Sequence, residues 1–224
     1  MGNCWDHVAL EAQSKFAVAV VSGPRTLQST RALIGELAQR TDHQTSMLLT
    51  SDEYKPYRRA LLEVYGDRRP QPRRFSVGRP PQPRLTPPAG LLYATVHKHR
   101  RRGRVVGVTI EHQFGSEAEV AAALQHSPVS DHVNIAFVER YNATERHLNA
   151  RKTRKLYRFS KQPELHEAMT HMTQGVYNFC RAHHALRVRD DEGRWRPRSP
   201  AVAQGITDHI WTMKEFCLRQ ACPP

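Results

Sequence analysis

Apolar residues along this chain follow two different spacings, and each spacing predicts a different kind of element. Apolar and polar positions alternate over residues 4–10, and an almost unbroken apolar run covers residues 16–21. Together they predict two strands joined by a turn. Because the second strand is apolar on both faces, we expect it to be covered on both sides.

A helical spacing follows the predicted strand pair. Residues 26–40 and 54–65 each carry their apolar residues on one stripe, which predicts two amphipathic helices, the second closed by Gly66. The run at residues 45–50 predicts a short strand between them, and Asp52 stands just past the end of that strand.

The middle of the chain has a different composition. Residues 67–90 contain seven prolines and six arginines, a density that predicts an extended, exposed segment without regular helix or sheet. Strands are predicted again over residues 91–97 and 104–111, around an arginine-rich turn at 99–103. A short helix is predicted over residues 117–125.

The last third of the chain is predicted to be helical. A long basic helix is expected from near Phe137, a second helix over residues 164–184, and two short helices after the start signals at Ser199 and Thr212. The order of elements predicts a mixed α/β fold with a small sheet and a helical C-terminal layer. The stripe that we expect in the core of the second helix consists of Leu165, Ala168, Met169, Met172, Val176, Phe179 and Cys180.

Charge narrows the class of partner. The net charge is +13 and the isoelectric point is about 10.1, so the chain attracts polyanions, most commonly nucleic acid and alternatively an anionic membrane. No apolar run approaches the roughly 20 residues of a membrane span.

The four cysteines form no Cys-x-x-Cys pair and the N-terminus lacks a signal pattern. We therefore expect a cytoplasmic protein without structural zinc and without a membrane partner.

Two acids suggest metal-dependent chemistry. Asp52 follows a buried strand, where it either projects as a ligand or caps the next helix. Glu139 shares a helical face with Asn142 and Arg146, or it complements the helix dipole in the first turn. Glu145 lies off that face and is expected to pair with a cation. Asp52 and Glu139 could supply two carboxylates of a two-metal phosphoryl-transfer site, which normally requires a third.

The cations after Glu139 suggest a phosphate-binding surface, with a solvated helix face as the alternative. For the arginine-rich turn at residues 99–103, contact with DNA and a solvated tip both remain open. The expected DNA contacts are Asn142, Arg146, Arg151, Lys152, Arg154, Lys155, Arg158 and Lys161.

Several segments together resemble bacterial insertion-element transposases, in particular the family named after the first insertion sequence. That family has an Asp-Asp-Glu catalytic core of ribonuclease H-like fold. The resemblance covers nearly the whole chain. The segments that carry it are residues 136–142 (Ala-Phe-Val-Glu-Arg-Tyr-Asn), 154–161 (Arg-Lys-Leu-Tyr-Arg-Phe-Ser-Lys), 4–15, 50–57, 177–187 and 206–211.

The resemblance implies that Asp52 is the second catalytic acid and Glu139 the third. It implies a cofactor, Mg²⁺ or Mn²⁺, and a reaction that cleaves DNA strands and joins transposon ends to target DNA. It also implies a homo-oligomer on DNA in the bacterial, nucleoid-associated cytoplasm.

The implied fold is a ribonuclease H-like mixed sheet flanked by helices. In this arrangement, residues 1–66 form the first part of the core and residues 67–90 an insert. Residues 91–187 form the rest of the core, with the basic helix, and residues 188–224 a C-terminal extension.

One feature of the family has no counterpart in the sequence. Its first catalytic aspartate lies on a strand before the position of Trp5, and the chain begins too late to include that strand. Asp6 is the nearest acid, but it follows the tryptophan. We therefore expect an N-terminally truncated transposase that binds DNA without cutting it. The alternative is a non-catalytic basic nucleic-acid-binding protein, and a simple metal-dependent nuclease is a third possibility.

Overall fold

The chain forms two compact units, and one of them is built from both ends of the sequence. The computed structural model describes residues 4–72, 81–153, 157 and 160–220. We call Arg25–Ile135 the middle unit, and Met1–Pro24 together with Ala136–Pro224 the terminal unit. The boundaries between the two units, at residues 24/25 and 135/136, fall inside the predicted segments 1–66 and 91–187 and not at the ends of those segments.

The terminal unit begins with the predicted strand pair. Strand β1 (Trp5–Leu10) lies antiparallel to β2 (Ala17–Gly23), with Val8 opposite Val20. Ala17 and Val20 are buried. The alternating pattern of β1 and the apolar run of β2 therefore predicted this hairpin correctly.

Two helices of the middle unit are also confirmed. Helix α1 (Leu27–Arg40) begins at Thr26, whose side chain accepts a hydrogen bond from the Ser29 backbone N–H. Helix α2 (Pro56–Tyr65) ends at Gly66, which has φ −70° rather than a left-handed conformation. A side chain at Gly66 would approach the Leu62 carbonyl oxygen to 2.2 Å, so glycine is needed there for close approach of the backbone.

A mixed sheet forms the centre of the middle unit. Strand β3 (Met47–Asp52) pairs in parallel with a long strand from the second half of the unit, which in turn pairs in antiparallel register with its neighbour. The remaining elements of this unit are β4 (Asp67–Arg69), β5 (Arg84–Thr86), β6 (Leu91–Arg101), β7 (Arg104–Phe114) and helix α3 (Glu117–Gln125). Sheet order is β3-β6-β7, and helices flank the sheet, so the fold is mixed α/β.

The Pro/Arg-rich segment is more ordered than predicted. Strands β4 and β5 pair in antiparallel register, so the expectation of no regular sheet over residues 67–90 was wrong at both ends of the segment. The prolines lie outside these two three-residue strands, where they remove no ladder hydrogen bond. Residues 73–80 lie outside the described part of the chain.

Apolar residues from the helices and the sheet form the core of the middle unit. Tyr93 of β6 packs against Phe114 of β7, with ring centroids 5.5 Å apart. The buried cluster consists of Ile34, Ala38, Ala60, Leu61, Tyr65, Leu91, Tyr93 and Phe114. Every one of these residues belongs to the middle unit, which therefore has its own core.

The basic helix of the terminal unit is shorter than predicted. Helix α4 (Ala136–Leu148) ends before Asn149, and a single 3₁₀ turn, Ala150–Lys152, follows it. Asn149 has non-helical φ and ψ angles (−118° and 98°), and its side chain accepts a hydrogen bond from the Arg151 N–H. This local hydrogen bond competes with continuation of the helix, so Arg151 and Lys152 do not continue the face of α4.

The next helix buries a different face from the predicted one. Helix α5 (Pro163–Gly175) continues as one π-helical turn, Val176–Cys180. Leu165, Ala168 and Met172 of the expected core stripe are exposed, so that prediction was wrong for these three residues. The buried face instead carries Thr170, Thr173, Gln174, Tyr177 and Asn178.

Polar groups on this face meet the start of β2. The Ala17 N–H donates to Asn178 Oδ1 at 3.0 Å, and its carbonyl accepts from Gln174 Nε2 at 2.8 Å and Asn178 Nδ2 at 3.0 Å. Buried backbone groups need such partners, and this need explains why a polar face is buried.

The C-terminal part contains two more helices and a short strand pair. Strands β8 (Val188–Arg189) and β9 (Trp195–Arg196) are antiparallel. Helix α6 (Pro200–Ala203) is capped by Ser199, as predicted. Helix α7 (Met213–Gln220) has the predicted capping box, in which Thr212 and Glu215 exchange hydrogen bonds.

Candidate active site

Asp52 lies at the carboxyl end of a parallel strand pair. It is the last residue of β3 and stands opposite Val96 of β6. Its side chain is 51% exposed, and its Oδ1 accepts a hydrogen bond from the Tyr54 N–H at 3.3 Å. Helix α2 starts at Pro56 with Lys55 at its N-cap, so Asp52 does not cap the helix. Ligands of α/β proteins bind at such strand ends.

One cation, Arg25, stands beside this carboxylate. Arg25 Nη2 lies 3.7 Å from Asp52 Oδ2, and the Arg25 guanidinium lies over the Tyr54 ring, 4.3 Å from its centroid. A shallow cleft of about 400 Å³ is lined by Arg25, Glu53, Tyr54, Lys55 and Pro56. An exposed acid next to an exposed cation suits a ligand that carries both a metal ion and phosphate.

A histidine bridges two other acids of the middle unit. His97 Nδ1 lies 3.0 Å from Glu53 Oε2, and His97 Nε2 lies 3.3 Å from Glu111 Oε2. Sequence reasoning missed this cluster, because the three residues come from separate segments. The pairing of β6 with β7 brings the cluster together. It places Glu111 opposite Thr95, and His97 lies two residues further along β6.

The described carboxylates do not form a complete set of metal ligands. Within residues 4–72, 81–153, 157 and 160–220, no group of three or more His, Cys, Asp or Glu residues is arranged to hold a metal ion. Mg²⁺ keeps several waters and commonly binds through one or two carboxylates. Asp52 therefore fits as one ligand, while Glu53 and Glu111 contact His97 instead.

Glu139 lies on the exposed side of α4. It belongs to the first turn of the helix, and the same face carries Asn142, which is half-buried, and Arg146, which is exposed. The opposite side of the helix buries Tyr141 and Glu145. Glu139 is part of the terminal unit, whereas Asp52 is part of the middle unit.

The other acid of α4 forms a buried ion-pair cluster. Lys152 Nζ lies 2.5 Å from Glu145 Oε1 and 2.9 Å from Asp6 Oδ2, and Asp6 Oδ1 also contacts His166 Nε2 at 3.2 Å. Ser22 Oγ donates to Asp6 Oδ1 at 2.6 Å. The expectation that Glu145 pairs with a cation is confirmed. We call Asp6, Glu145, Lys152 and His166 the buried charge cluster.

The two carboxylates of this cluster have opposite pKa shifts. Burial raises the pKa of Glu145 above its usual value, and Lys152 offsets only part of that effect. Burial also acts to raise the pKa of Asp6, but Lys152 and the Ser22 hydroxyl outweigh it and lower that pKa. Asp6 is thus held as an anion by protein groups, and it is not placed as an open ligand for a metal ion.

The predicted DNA contacts have different surroundings. Arg151 and Lys161, like Arg146, are exposed. The Lys152 side chain is only 6% exposed and binds Glu145 and Asp6, so the structure places it inside the terminal unit and not on the phosphate-binding surface that we expected. Arg154, Lys155 and Arg158 lie outside the described residues.

Comparison of the chain with known protein families, curated proteins and solved structures found no match. Among the described residues, no helix is both long enough and apolar enough to cross a membrane.

Proposed function

We propose that this chain acts on DNA as an Asp-Asp-Glu transposase, with Asp52 and Glu139 as two of the catalytic carboxylates. The observation that carries the proposal is the placement of Asp52, an exposed acid at the carboxyl end of parallel strands, beside Arg25. The net charge of +13 supports a polyanionic substrate.

The order of elements supports a ribonuclease H-like core within this proposal. The order is an antiparallel hairpin (β1-β2), helix α1, strand β3, helix α2 and strand β6. Strand β6 is parallel to β3. The short β4–β5 pair is inserted between α2 and β6.

In this proposal Asp52 and Glu139 each serve as a ligand of Mg²⁺ or Mn²⁺ during the reaction at the scissile phosphate. The bound metal would polarise the phosphate and lower the pKa of an attacking water or 3′-hydroxyl. Arg25 and Lys55 would bind neighbouring phosphates, and Arg146, Arg151 and Lys161 would contact the DNA backbone, which adds affinity without sequence readout. We assign no residue of this chain as the first acid.

Removal of either proposed ligand tests the metal site. We expect Asp52→Asn and Glu139→Gln each to weaken Mn²⁺ binding at least tenfold, because each removes one anionic oxygen ligand, while duplex DNA binding is retained. Mn²⁺ binding is measured by electron paramagnetic resonance and DNA binding by fluorescence anisotropy.

Two exposed acids provide matched controls. Asp67→Asn removes a strand aspartate from the middle unit, and Glu164→Gln removes a first-turn glutamate from the terminal unit. Both control variants should bind Mn²⁺ like the unmodified chain. Equal Mn²⁺ affinity in all four variants would rule out the proposed metal site.

A second function is favoured by one observation. The described residues hold no three-residue cluster suited to a metal ion, as expected for a non-catalytic basic DNA-binding protein. That function predicts DNA binding without Mn²⁺ binding at Asp52 or Glu139, so the Mn²⁺ measurements distinguish the two.

A further inference from the structure

The β6–β7 hairpin ends in a concentrated positive charge. Its outer part, residues 98–109, contains Lys98, Arg100, Arg101, Arg102 and Arg104 and no acid. Residues 99–106 are all exposed. We call residues 98–109 the hairpin arm. In the described part of the chain, none of its four arginines forms an ion pair with a carboxylate.

Placing this charge at the tip costs stability in two ways. Arg101 stands directly opposite Arg104 in the hairpin register, and like charges in that position repel. Arg102 has φ +49° and Gly103 has φ +79°, so both central turn residues are left-handed, a conformation that suits asparagine or glycine better than arginine. A polyanionic partner would compensate for the repulsion between the arginines.

Apolar residues are exposed along the same arm. Val105, Val106 and Val108 are 46%, 64% and 55% exposed. The register shifts between His99 and Arg100, so that Gly107 lies opposite His99 and Val105 opposite Arg100. Val106 is therefore the extra residue of a β-bulge, a feature that redirects side chains and increases local twist.

The dimensions of the arm fit the major groove of DNA. Neighbouring strands lie about 4.8 Å apart, and with side chains such a ribbon is too broad for a minor groove of about 6 Å. The major groove is about 12 Å wide and accepts a two-stranded ribbon. From Lys98 to Arg101 the arm extends about 10 Å at roughly 3.3 Å per residue, enough to reach the floor of a groove about 8.5 Å deep.

From this charge, shape and exposure we infer that the hairpin arm binds duplex DNA by entering its major groove. Arg100, Arg101 and Arg102 contact phosphates and guanine edges, and the exposed valines contact the apolar parts of the bases. The inference rests on the proposed function, because it names the part of the chain that holds the DNA substrate.

Charge removal from the tip tests the arm. In the full chain, the triple variant Arg100→Gln, Arg101→Gln, Arg102→Gln should bind a 30-base-pair duplex at least tenfold more weakly at 0.1 M salt. The slope of log affinity against log salt should fall by about 2 to 3, since each lost phosphate contact removes roughly 0.9. Fluorescence anisotropy over a salt series measures both, and circular dichroism verifies that the variant is folded.

A matched triple variant controls for net charge. Arg68→Gln, Arg69→Gln, Arg84→Gln removes three exposed arginines from the β4–β5 pair of the same unit. We expect less than a threefold loss of affinity in this control. A second triple variant, Arg100→Lys, Arg101→Lys, Arg102→Lys, should keep the salt slope, which separates loss of charge from misfolding of the turn.

Groove ligands and vesicles test the assigned partner. Methyl green, which occupies the major groove, should displace the unmodified chain at concentrations where netropsin, a minor-groove ligand, does not. Equal competition by the two ligands would contradict the major-groove assignment. Loss of binding to phosphatidylserine vesicles by the glutamine variant, with DNA binding unchanged, would identify a membrane contact and overturn the inference.

The experiments distinguish a wrong inference about the hairpin arm from a wrong proposed function. If the unmodified chain binds DNA and the arm variant binds it equally well, or no more weakly than the control variant, only the arm is excluded. If the unmodified chain binds no DNA, the proposed function and the arm are both excluded.

Discussion

Individual charged residues in this protein have very different surroundings, although the sequence presents them as one basic run. Lys152 is buried against Asp6 and Glu145, while its neighbour Arg151 is exposed. Sequence patterns identified Glu145 as a paired acid but not Lys152 as its partner, because the pairing depends on where the chain turns after Asn149. Asp6 comes from the other end of the sequence, and no local pattern could have placed it there.

Removing the buried ammonium group should strongly destabilise the terminal unit. We expect Lys152→Met to lower the free energy of unfolding by about 3–5 kcal/mol, since it leaves two carboxylates buried without their cation. Urea unfolding followed by circular dichroism measures the change. Arg151→Met removes an exposed charge one residue away and should change stability by less than about 0.5 kcal/mol.

A further substitution separates charge from packing. Adding Glu145→Gln to Lys152→Met should restore part of the lost stability, because one of the two unpaired anions is then neutral. If Lys152→Met were as stable as the unmodified chain, the buried charge cluster would not contribute as the structure indicates.

At the scale of elements, hydrophobic spacing located most helices and strands but not every buried face. Helices α1 and α3 and the β1–β2 hairpin lie close to their predicted positions. Helix α5 does not bury its apolar stripe, because Gln174 and Asn178 satisfy the backbone of Ala17 across more than 150 residues of sequence. The spacing of apolar residues within one helix does not show that a distant strand needs hydrogen-bond partners from that helix.

Two substitutions in this helical segment distinguish the predicted face from the observed one. We expect Asn178→Ala to destabilise the protein by about 1–3 kcal/mol, because the Ala17 N–H then remains buried without a partner. Leu165→Ala, on the exposed face, should cost less than about 1 kcal/mol. Both values come from urea unfolding. The reverse order of the two values would support the apolar stripe as the core.

The candidate site was predictable in position but not in composition. Asp52 was identified by its place after an apolar strand, and the structure puts it at the end of β3. The Glu53–His97–Glu111 cluster was not identified, because its geometry depends on strand register. Register is fixed by pairing between distant segments, and a single sequence does not display that pairing.

At the scale of the whole molecule, the two proposed carboxylates belong to different units, Asp52 to the middle unit and Glu139 to the terminal unit. The middle unit is one continuous segment with its own core. The terminal unit needs both ends of the chain, since Ala17 packs with Tyr141 and Tyr177 in one buried cluster. Their ability to fold independently should therefore differ.

Separate expression tests this difference. We expect residues 25–135 alone to unfold cooperatively on heating, because their buried cluster is drawn entirely from within the segment. Residues 136–224 alone should show no cooperative transition, since β1 and β2 are missing. Circular dichroism during heating measures both. Cooperative unfolding of residues 136–224 alone would contradict the interdependence of the two ends.

The terminal unit also has a consequence for synthesis on the ribosome. Strand β2 ends at Gly23, but the helix that satisfies its first residue begins only at Pro163. At about 5–20 residues per second, the nascent hairpin waits on the order of ten seconds for that partner. During this interval its apolar strand is open to chaperones and to neighbouring nascent chains, while the middle unit emerges and folds.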